Sequence, residues 1–462
     1  MKPRRAKNGR SPRRRAPGIA AARALTAAGA RTDAPPQLVT IEKPIYGGAF
    51  LARAEGKAVF VPLTLPGEQA RVRIVEEKRS YAAAEAEEIV AAARERISAQ
   101  CPHFGPCGGC HYQHANYDAQ LRFKEAILRE TLGRAGVSAP ESIDVLSARP
   151  WQYRNRIRLA FDPAGNPGYR GRRSHAVVPI HACPIAAPVL VKAALAAAGF
   201  FRAFAPHERP TELALFCDAE EETLIGSIFT SGASCARLAG SLTALLDAIP
   251  ALRGVEVVEQ SAGAPPRIVA RAGINSLGYR AAGFEYRVDH GAFFQVNRWL
   301  VDSLADHVTA GRSGGLAWDL FAGVGLFARR LAATFDRVVA VESAPAAAAA
   351  LAQNLAGASG IAETKTALDF LRMRRRAVRS DRAVPELIVV DPPRTGLGAE
   401  AASLLAEVAA PAIAYVSCDP ATLARDLRAL IAAGYAVDRL TLADLFPQTF
   451  HIETIADLRL RS

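Results

Sequence analysis

Four unbroken apolar runs, at residues 316–321, 338–342, 387–391 and 412–418, alternate with helix-forming segments in the last third of this chain. Strands that are apolar on both faces must be covered on both faces, and parallel neighbours need a crossover between them. The pattern predicts a mostly parallel, doubly wound sheet. Ligands of such sheets bind beyond the carboxyl ends of the strands, so the residues closing each run are the first candidates for a site.

The first run ends in Asp319-Leu320-Phe321-Ala322-Gly323-Val324-Gly325. Its glycines permit a tight turn and close backbone approach to a ligand, but the third glycine of a dinucleotide fingerprint is missing. The second run ends in Glu342, which either accepts hydrogen bonds from both hydroxyls of a ribose or caps the following helix. A glycine turn and a strand-end acid without a phosphate clamp fit S-adenosylmethionine better than NAD. The third run ends in Asp391-Pro392-Pro393-Arg394, where the acid either faces the cofactor pocket or belongs to an ordinary capped turn. The fourth ends in Ser417-Cys418-Asp419-Pro420. A cysteine there, opening onto a helix, sits where a thiolate would be stabilised; the alternative is a small buried hydrophobe.

Upstream, residues 38–92 read as short strands punctuated by Gly47-Gly48, Glu55-Gly56 and Pro66-Gly67, which predicts a small OB-like β-barrel. Tyr117, Leu121, Leu128 and Leu132 fall at helical spacing, closed by Gly133 and Gly136. Residues 151–285 read as mixed α/β. A strand over 153–159 would put Arg154, Arg156 and Arg158 on one face, either as a solvated edge or as a basic stripe facing RNA. The resulting plan is a basic tail over 1–36, a barrel over 37–96, a central region with a cysteine cluster over 97–285 and the doubly wound domain over 286–462.

Half of the 462 residues are hydrophobic, which excludes a disordered or fibrous protein. No apolar run reaches transmembrane length. The formal net charge is +12, and ten Lys and Arg side chains from Lys2 to Arg31 against Asp33 carry nine of those charges. The tail is expected to be a disordered arm that touches phosphates nonspecifically, with an organelle transit peptide as the rival reading. No apolar segment follows its arginines, so a cytoplasmic setting is expected.

Seven cysteines, an odd number, argue against a disulfide framework. Cys217 and Cys235 lie in mostly apolar or small-residue surroundings. Cys101, Cys107 and Cys110 fall within ten residues, and Cys183 follows far downstream. Gly108 and Gly109 let the loop wrap a metal, and Cys-Pro at both outer positions is similar to ferredoxin runs. Spacing leaves a 4Fe-4S cluster and a four-thiolate zinc site both open.

Four blocks taken together resemble the RNA uracil-5-methyltransferases, and within them the iron–sulfur branch with an N-terminal TRAM domain that acts on large-subunit ribosomal RNA. They are Leu65-Pro66-Gly67-Glu68; the Cys101, Cys107, Cys110 and Cys183 set; Phe294-Gln295-Val296-Asn297; and the Asp391 and Cys418 motifs combined with His451-Ile452-Glu453-Thr454. The resemblance runs from about Leu38 to the C-terminus. It implies a multidomain α/β protein: a TRAM barrel, a central mixed α/β region and a Rossmann-like methyltransferase domain.

The activity implied is methyl transfer from S-adenosylmethionine to carbon 5 of a uridine in 23S ribosomal RNA. Carbon 5 of uracil is a poor nucleophile until a thiolate adds at carbon 6, and a general base must later remove the proton from carbon 5. The resemblance gives the first role to Cys418 and the second to Glu453. It puts Gln295, Phe321, Glu342, Asp369 and Asp391 on the cofactor, with Asp391 alternatively on the uracil and Arg394 steadying the adduct. It makes Cys101, Cys107, Cys110 and Cys183 the ligands of a 4Fe-4S cluster with a structural or RNA-positioning role. Where some relatives carry a polar residue, Leu326 leaves only a backbone contact. The target base would have to leave its stack. The rival readings are the same reaction on a transfer RNA, a zinc-containing methyltransferase, and a catalytically inactive RNA-binding assembly factor.

Overall fold

A computed structural model of the chain describes residues 35–261, 263–378 and 384–461. The expected basic tail, up to residue 34, lies outside them. Two compact units divide the chain, Met1–Arg94 and Glu95–Ser462.

In the first unit, β1 (Gln37–Pro44), β2 (Ala49–Ala54), β3 (Lys57–Pro62), β4 (Gln69–Glu77) and β5 (Tyr81–Ala91) close a barrel in the order β1-β2-β3-β5-β4. Along β4, Ala70 and Val72 point inward while Gln69 and Arg71 face solvent, the two-residue period of a half-buried strand. The Leu65-Pro66-Gly67-Glu68 turn owes its shape to two residues. Gly67 has φ +85°, which favours glycine. Glu68 is buried, and its two carboxylate oxygens accept from Leu65 N at 2.7 Å and Ala93 N at 3.2 Å. Both oxygens are bonded, which makes the buried charge tolerable.

The second unit contains two large sheets. A seven-stranded sheet runs in the order β13-β12-β11-β10-β7-β8-β9. Its strands are β7 (Arg156–Phe161), β8 (Pro167–Arg170), β9 (Val177–Pro179), β10 (Glu212–Cys217), β11 (Leu224–Thr230), β12 (Leu252–Glu259) and β13 (Arg267–Gly273). The helix Pro188–Phe201 supplies Leu190, Ala194 and Phe201 to the core on one face of this sheet. A hairpin of β14 (Ser276–Ala281) and β15 (Phe284–Asp289) follows.

The second sheet has eight strands in the order β18-β17-β16-β19-β20-β22-β21-β6. These are β6 (Asp144–Leu146), β16 (Gly314–Leu320), β17 (Phe335–Glu342), β18 (Gly360–Thr364), β19 (Leu387–Val390), β20 (Ala412–Ser417), β21 (Tyr435–Ala443) and β22 (Glu453–Leu460). The five strands β16 to β20 are parallel, as the four apolar runs among them predict, while the edge strand β18 is of mixed polarity and partly exposed. Only β22 runs against its neighbours. The edge strand β6 comes from the central region of the sequence and pairs with β21.

Two local expectations change. The helix read from Tyr117, Leu121, Leu128 and Leu132 spans Tyr117–Arg134, with Asn116 Oδ1 accepting from Ala119 N at 2.9 Å as its cap. Leu128 and Leu132 are on the buried face, but so are Gln120 and Lys124, whereas Tyr117 and Leu121 are only half-buried. Hydrophobic spacing could not register polar residues that are buried because they have partners. The strand expected over 153–159 starts at Arg156 and lies inside the sheet, between β10 and β8. Its arginines form no continuous stripe. The Arg154 guanidinium lies 5.9 Å from the Phe446 ring, Arg156 lies 4.5 Å over Phe216, and the exposed Arg158 pairs with Glu212 at 2.6 Å. No helix among the described residues is long and apolar enough to cross a membrane.

Candidate active site

The carboxyl ends of the parallel strands converge on one edge of the eight-stranded sheet. Strand β16 has β17 on one side and β19 on the other, so the chain order reverses there and opens a crevice. Phe321, the first residue past β16, has φ +66°, a left-handed conformation rare for a residue with a side chain. Gly323 and Gly325 follow with φ +57° and +97°.

Two acids brace this loop. Glu342 Oε2 accepts from Gly323 N at 2.9 Å, while Oε1 accepts from Ser343 N and Ala344 N at 2.7 Å each. Glu342 thus ties the glycine turn to its own strand end, and it is not the side-chain cap of the following helix, Pro345–Asn354. Asp319 Oδ2 accepts from Ala328 N at 2.8 Å, and its other oxygen is buried without a hydrogen-bond partner. Burial pushes its carboxyl up to about 8, and the nearby Asp391 and Glu342 add to this. Asp319 was visible in the sequence as an acid inside an apolar strand, but not as a site residue.

At the end of β19, Gln295 Nε2 donates to Asp391 Oδ2 at 3.3 Å. Loss of solvent pushes the half-buried Asp391 carboxyl up to about 7. The Phe294-Gln295-Val296-Asn297 block and the Asp391 motif therefore meet, although 96 residues separate them.

Cys418 follows β20, and Glu453 opens β22. The antiparallel register pairs Ser417 with Thr454, which sets Cys418 and Glu453 side by side at the same sheet edge. The thiol is pushed up to about 12 by burial and then by the negative charges of Glu453 and Asp391, with Arg394 opposing them. This corrects the expectation of a stabilised thiolate. The following helix, Pro420–Ala432, spends its amino end on Asp419, whose Oδ1 accepts from Ala421 N at 3.0 Å and Thr422 N at 2.9 Å. Burial also raises the Glu453 carboxyl well above its ordinary value, with Asp391 adding and Arg394 opposing. The guanidinium of Arg394 touches His451, Nη2 to Nδ1 3.3 Å. Burial first, then Arg394, pushes the His451 imidazole down to about 2, so it is neutral.

Asp369 stands apart from this group. It is exposed in the first turn of the helix Ala367–Val378, accepts from Thr366 Oγ1 at 2.7 Å and pairs with Arg372 at 3.4 Å. The four clustered cysteines, by contrast, come together: Cys101, Cys107, Cys110 and Cys183 line one cavity of about 370 Å³. Gly109 N donates to Cys107 Sγ at 3.4 Å, and the Tyr169 hydroxyl lies 3.9 Å from Cys183 Sγ. A side chain at Gly108 would meet Arg170 O at 2.9 Å, so the wrapping loop has room only for glycine there. Among the described residues, no group of three or more His, Cys, Asp or Glu converges closely enough to hold a single metal ion. Phe450 and His451 also wall this cavity, a neighbour relation the sequence did not signal.

Residues 274–459 match the family described as tRNA (Uracil-5-)-methyltransferase, and residues 36–86 match the TRAM domain. An uncharacterised RNA methyltransferase of Streptomyces avermitilis is 36% identical over 450 residues, covering 91% of this chain and 97% of the relative. The 23S rRNA (uracil(1939)-C(5))-methyltransferase RlmD of Halomonas elongata is 31% identical, covering 90% of this chain and 88% of the relative. Among solved structures, the tRNA (uracil-54, C5)-methyltransferase of Pyrococcus abyssi with S-adenosyl-L-homocysteine shares the fold. Its TM-score is 0.69 at 22% identity, covering 91% of this chain and all of that one.

Proposed function

The chain belongs to the RNA uracil-5-methyltransferase family, and from that membership we propose that it methylates carbon 5 of a uridine in 23S ribosomal RNA through a covalent adduct with Cys418. The observation that carries this reading is the β20–β22 register, which sets Cys418 beside Glu453 at the sheet edge that also holds the Gln295–Asp391 contact.

Bound S-adenosylmethionine supplies the electrophilic methyl group. The turn through Phe321, Gly323 and Gly325 would let backbone approach the cofactor closely, and Glu342 would hold its ribose. Gln295 and Asp391 lie nearer the reacting end, while Asp369 would reach the adenine side only if its contacts with Thr366 and Arg372 gave way. The Cys418 thiol would pass its proton to water as its sulfur adds to carbon 6 of the flipped uracil, and the electron-rich carbon 5 so formed would take the methyl group as its bond to the sulfonium sulfur breaks, with S-adenosylhomocysteine leaving. A thiol pushed up to about 12 is unreactive before RNA binds. Attack therefore requires the proton to leave as the adduct forms, with the positive charge of Arg394 favouring the anionic side. Glu453 then removes the proton from carbon 5, and elimination of the thiolate restores the aromatic ring. A buried carboxylate with a raised affinity for protons is a competent base for that step.

Cys101, Cys107, Cys110 and Cys183 would hold a 4Fe-4S cluster, which would cross-link the loop 101–110 to the segment at 183. The fit is in the donors: four thiols and no carboxylate line one cavity, and an all-thiolate set is what such a cluster takes. The choice of ribosomal RNA follows the curated relatives that match nearly the whole chain, while the likeness to the transfer RNA enzyme is one of fold.

Incubation of the full chain with cofactor and 23S RNA fragments carrying 5-fluorouridine tests the reading. Fluorine cannot leave as a proton does, so a stable protein–RNA complex is expected, mapping to Cys418 and absent in Cys418→Ala. Full methyl transfer by Cys418→Ala would refute it.

A further inference from the structure

Residues 444–452 leave β21 and return to the site at Glu453 without regular secondary structure. Their course is therefore set by side-chain and backbone contacts, and these reach in two directions. Toward the four cysteines, Gln448 O accepts from His111 N at 2.8 Å and Tyr112 N at 3.0 Å, immediately after Cys110. The Phe450 ring packs 4.6 Å from His111 on one side and 4.3 Å from His451 on the other. Toward the catalytic pocket, His451 meets Arg394 at 3.3 Å, and Glu453 follows two residues later.

Gln448 is the fulcrum. It is buried and has φ +68°, a conformation that persists for such a residue only where its surroundings impose it. Besides the His111 and Tyr112 amides on its carbonyl, one side chain binds it twice. Gln120 Nε2 donates to Gln448 Oε1 at 2.9 Å, and Gln448 N donates to Gln120 Oε1 at 2.9 Å. Gln120 lies on the Tyr117–Arg134 helix and is not among the residues lining the four-cysteine cavity.

We propose that Gln448, held by Gln120, is a positioning residue that couples the four-cysteine cavity to the Cys418–Glu453 pocket, so that filling either site tightens the other. A cluster on Cys110 fixes the amides of His111 and Tyr112. Those amides fix the Gln448 carbonyl, and the segment beyond it sets how His451 meets Arg394. Coupling of this kind is reciprocal, because it is one free energy shared by two binding events. The inference rests on the two site readings given above, and the test separates their failure from its own.

The experiment uses the full chain, purified anaerobically with its native metal. Metal release into excess EDTA, followed with a metal-binding dye, is compared with and without the 5-fluorouridine RNA adduct. In the wild type the adduct should slow release by about fivefold or more, and in Gln120→Leu by less than about twofold. Simple shielding of the cavity by RNA would protect both proteins equally, and that result overturns the proposal. As a second readout, turnover per site titrated with 5-fluorouridine RNA should fall about tenfold in Gln120→Leu with the KM for cofactor little changed. Unchanged turnover per titrated site also overturns it. Gln448→Asn suits the left-handed backbone, loses the side-chain bond to Gln120 and keeps the backbone one, so it should shift both readouts in the same direction as Gln120→Leu but by less, and it serves if that variant does not fold. A wild-type protein that forms no adduct overturns the Cys418 reading and this proposal with it. A normal adduct with unaltered variants overturns the coupling alone.

Discussion

Gln295 donates from Nε2 to Asp391 Oδ2 at 3.3 Å, joining the loop after β15 to the carboxyl end of β19. Burial leaves the Asp391 carboxyl titrating at about 7, where a small change in pH changes the charge of the pocket. The sulfonium of S-adenosylmethionine is cationic, whereas the sulfur of S-adenosylhomocysteine is neutral. As pH rises from about 6 to 8, Asp391 ionises and the preference for the methylated cofactor should grow by about tenfold, or about 1.4 kcal/mol. Calorimetric titration of both ligands across that range measures it. The preference should become nearly pH-independent in Asp391→Asn.

Lys124 donates to Asp444 Oδ1 at 2.5 Å, and both side chains are fully buried. Phe446 O and the Tyr117 hydroxyl complete the group, at 2.9 Å from Lys124 and 2.8 Å from Asp444 respectively. Lys124→Met removes one charge and strands the other, which costs about 3–5 kcal/mol. Chemical denaturation should show a loss of that size. Lys124→Met combined with Asp444→Asn should recover part of it, since no buried charge remains.

Alkylation of Cys418 by iodoacetamide, read by mass spectrometry of its peptide, should be more than about a hundredfold slower at pH 7.5 than that of a free thiol. Burial and the adjacent acids hold the thiol at about 12, so the rate should keep climbing through the alkaline range instead of levelling near 9.

Asp319 retains its proton in the folded chain up to about 8, whereas an unfolded chain releases it near 3.9. The folded state thus binds the extra proton, and stability falls as pH rises between those values. Asp319→Asn keeps an acceptor for Ala328 N and removes the titration. Its melting temperature relative to wild type should increase steadily from pH 4 to pH 8 and level off above. A constant difference would show that Asp319 does not titrate in that window.

Much of the site was legible because strand ends declare themselves locally. An apolar run followed by Gly-Val-Gly, Asp-Pro-Pro-Arg or Ser-Cys-Asp-Pro identifies a sheet edge without knowledge of its neighbours. The glycine turn, Glu342, Asp391 and Cys418 all lie where the pattern put them. The arginines of 153–159 misled for the same reason. Alternation predicts which way a side chain points, but not whether the sheet continues on both sides. Strand β7 has neighbours on both and begins only at Arg156, so Arg154 lies outside it, and both arginines sit against aromatic rings.

The amino-acid sequence by itself determined the doubly wound sheet, the barrel with its Leu65-Pro66-Gly67-Glu68 turn, and the residue types at each strand end. These follow from periodicity and backbone preference, which act over a few residues. Only the tertiary structure decided that Glu453 stands beside Cys418, that Asp391 meets Gln295 and that Cys183 joins the other three cysteines at one cavity. It also decided the state of Cys418, since a thiol held at about 12 reflects burial and the acids around it. The physical reason is range. Gln120 and Gln448 are 328 residues apart and exchange two hydrogen bonds in the interior. A polar pair of that kind is stable only once both partners have left water, so neither residue carries a local sign that the other exists.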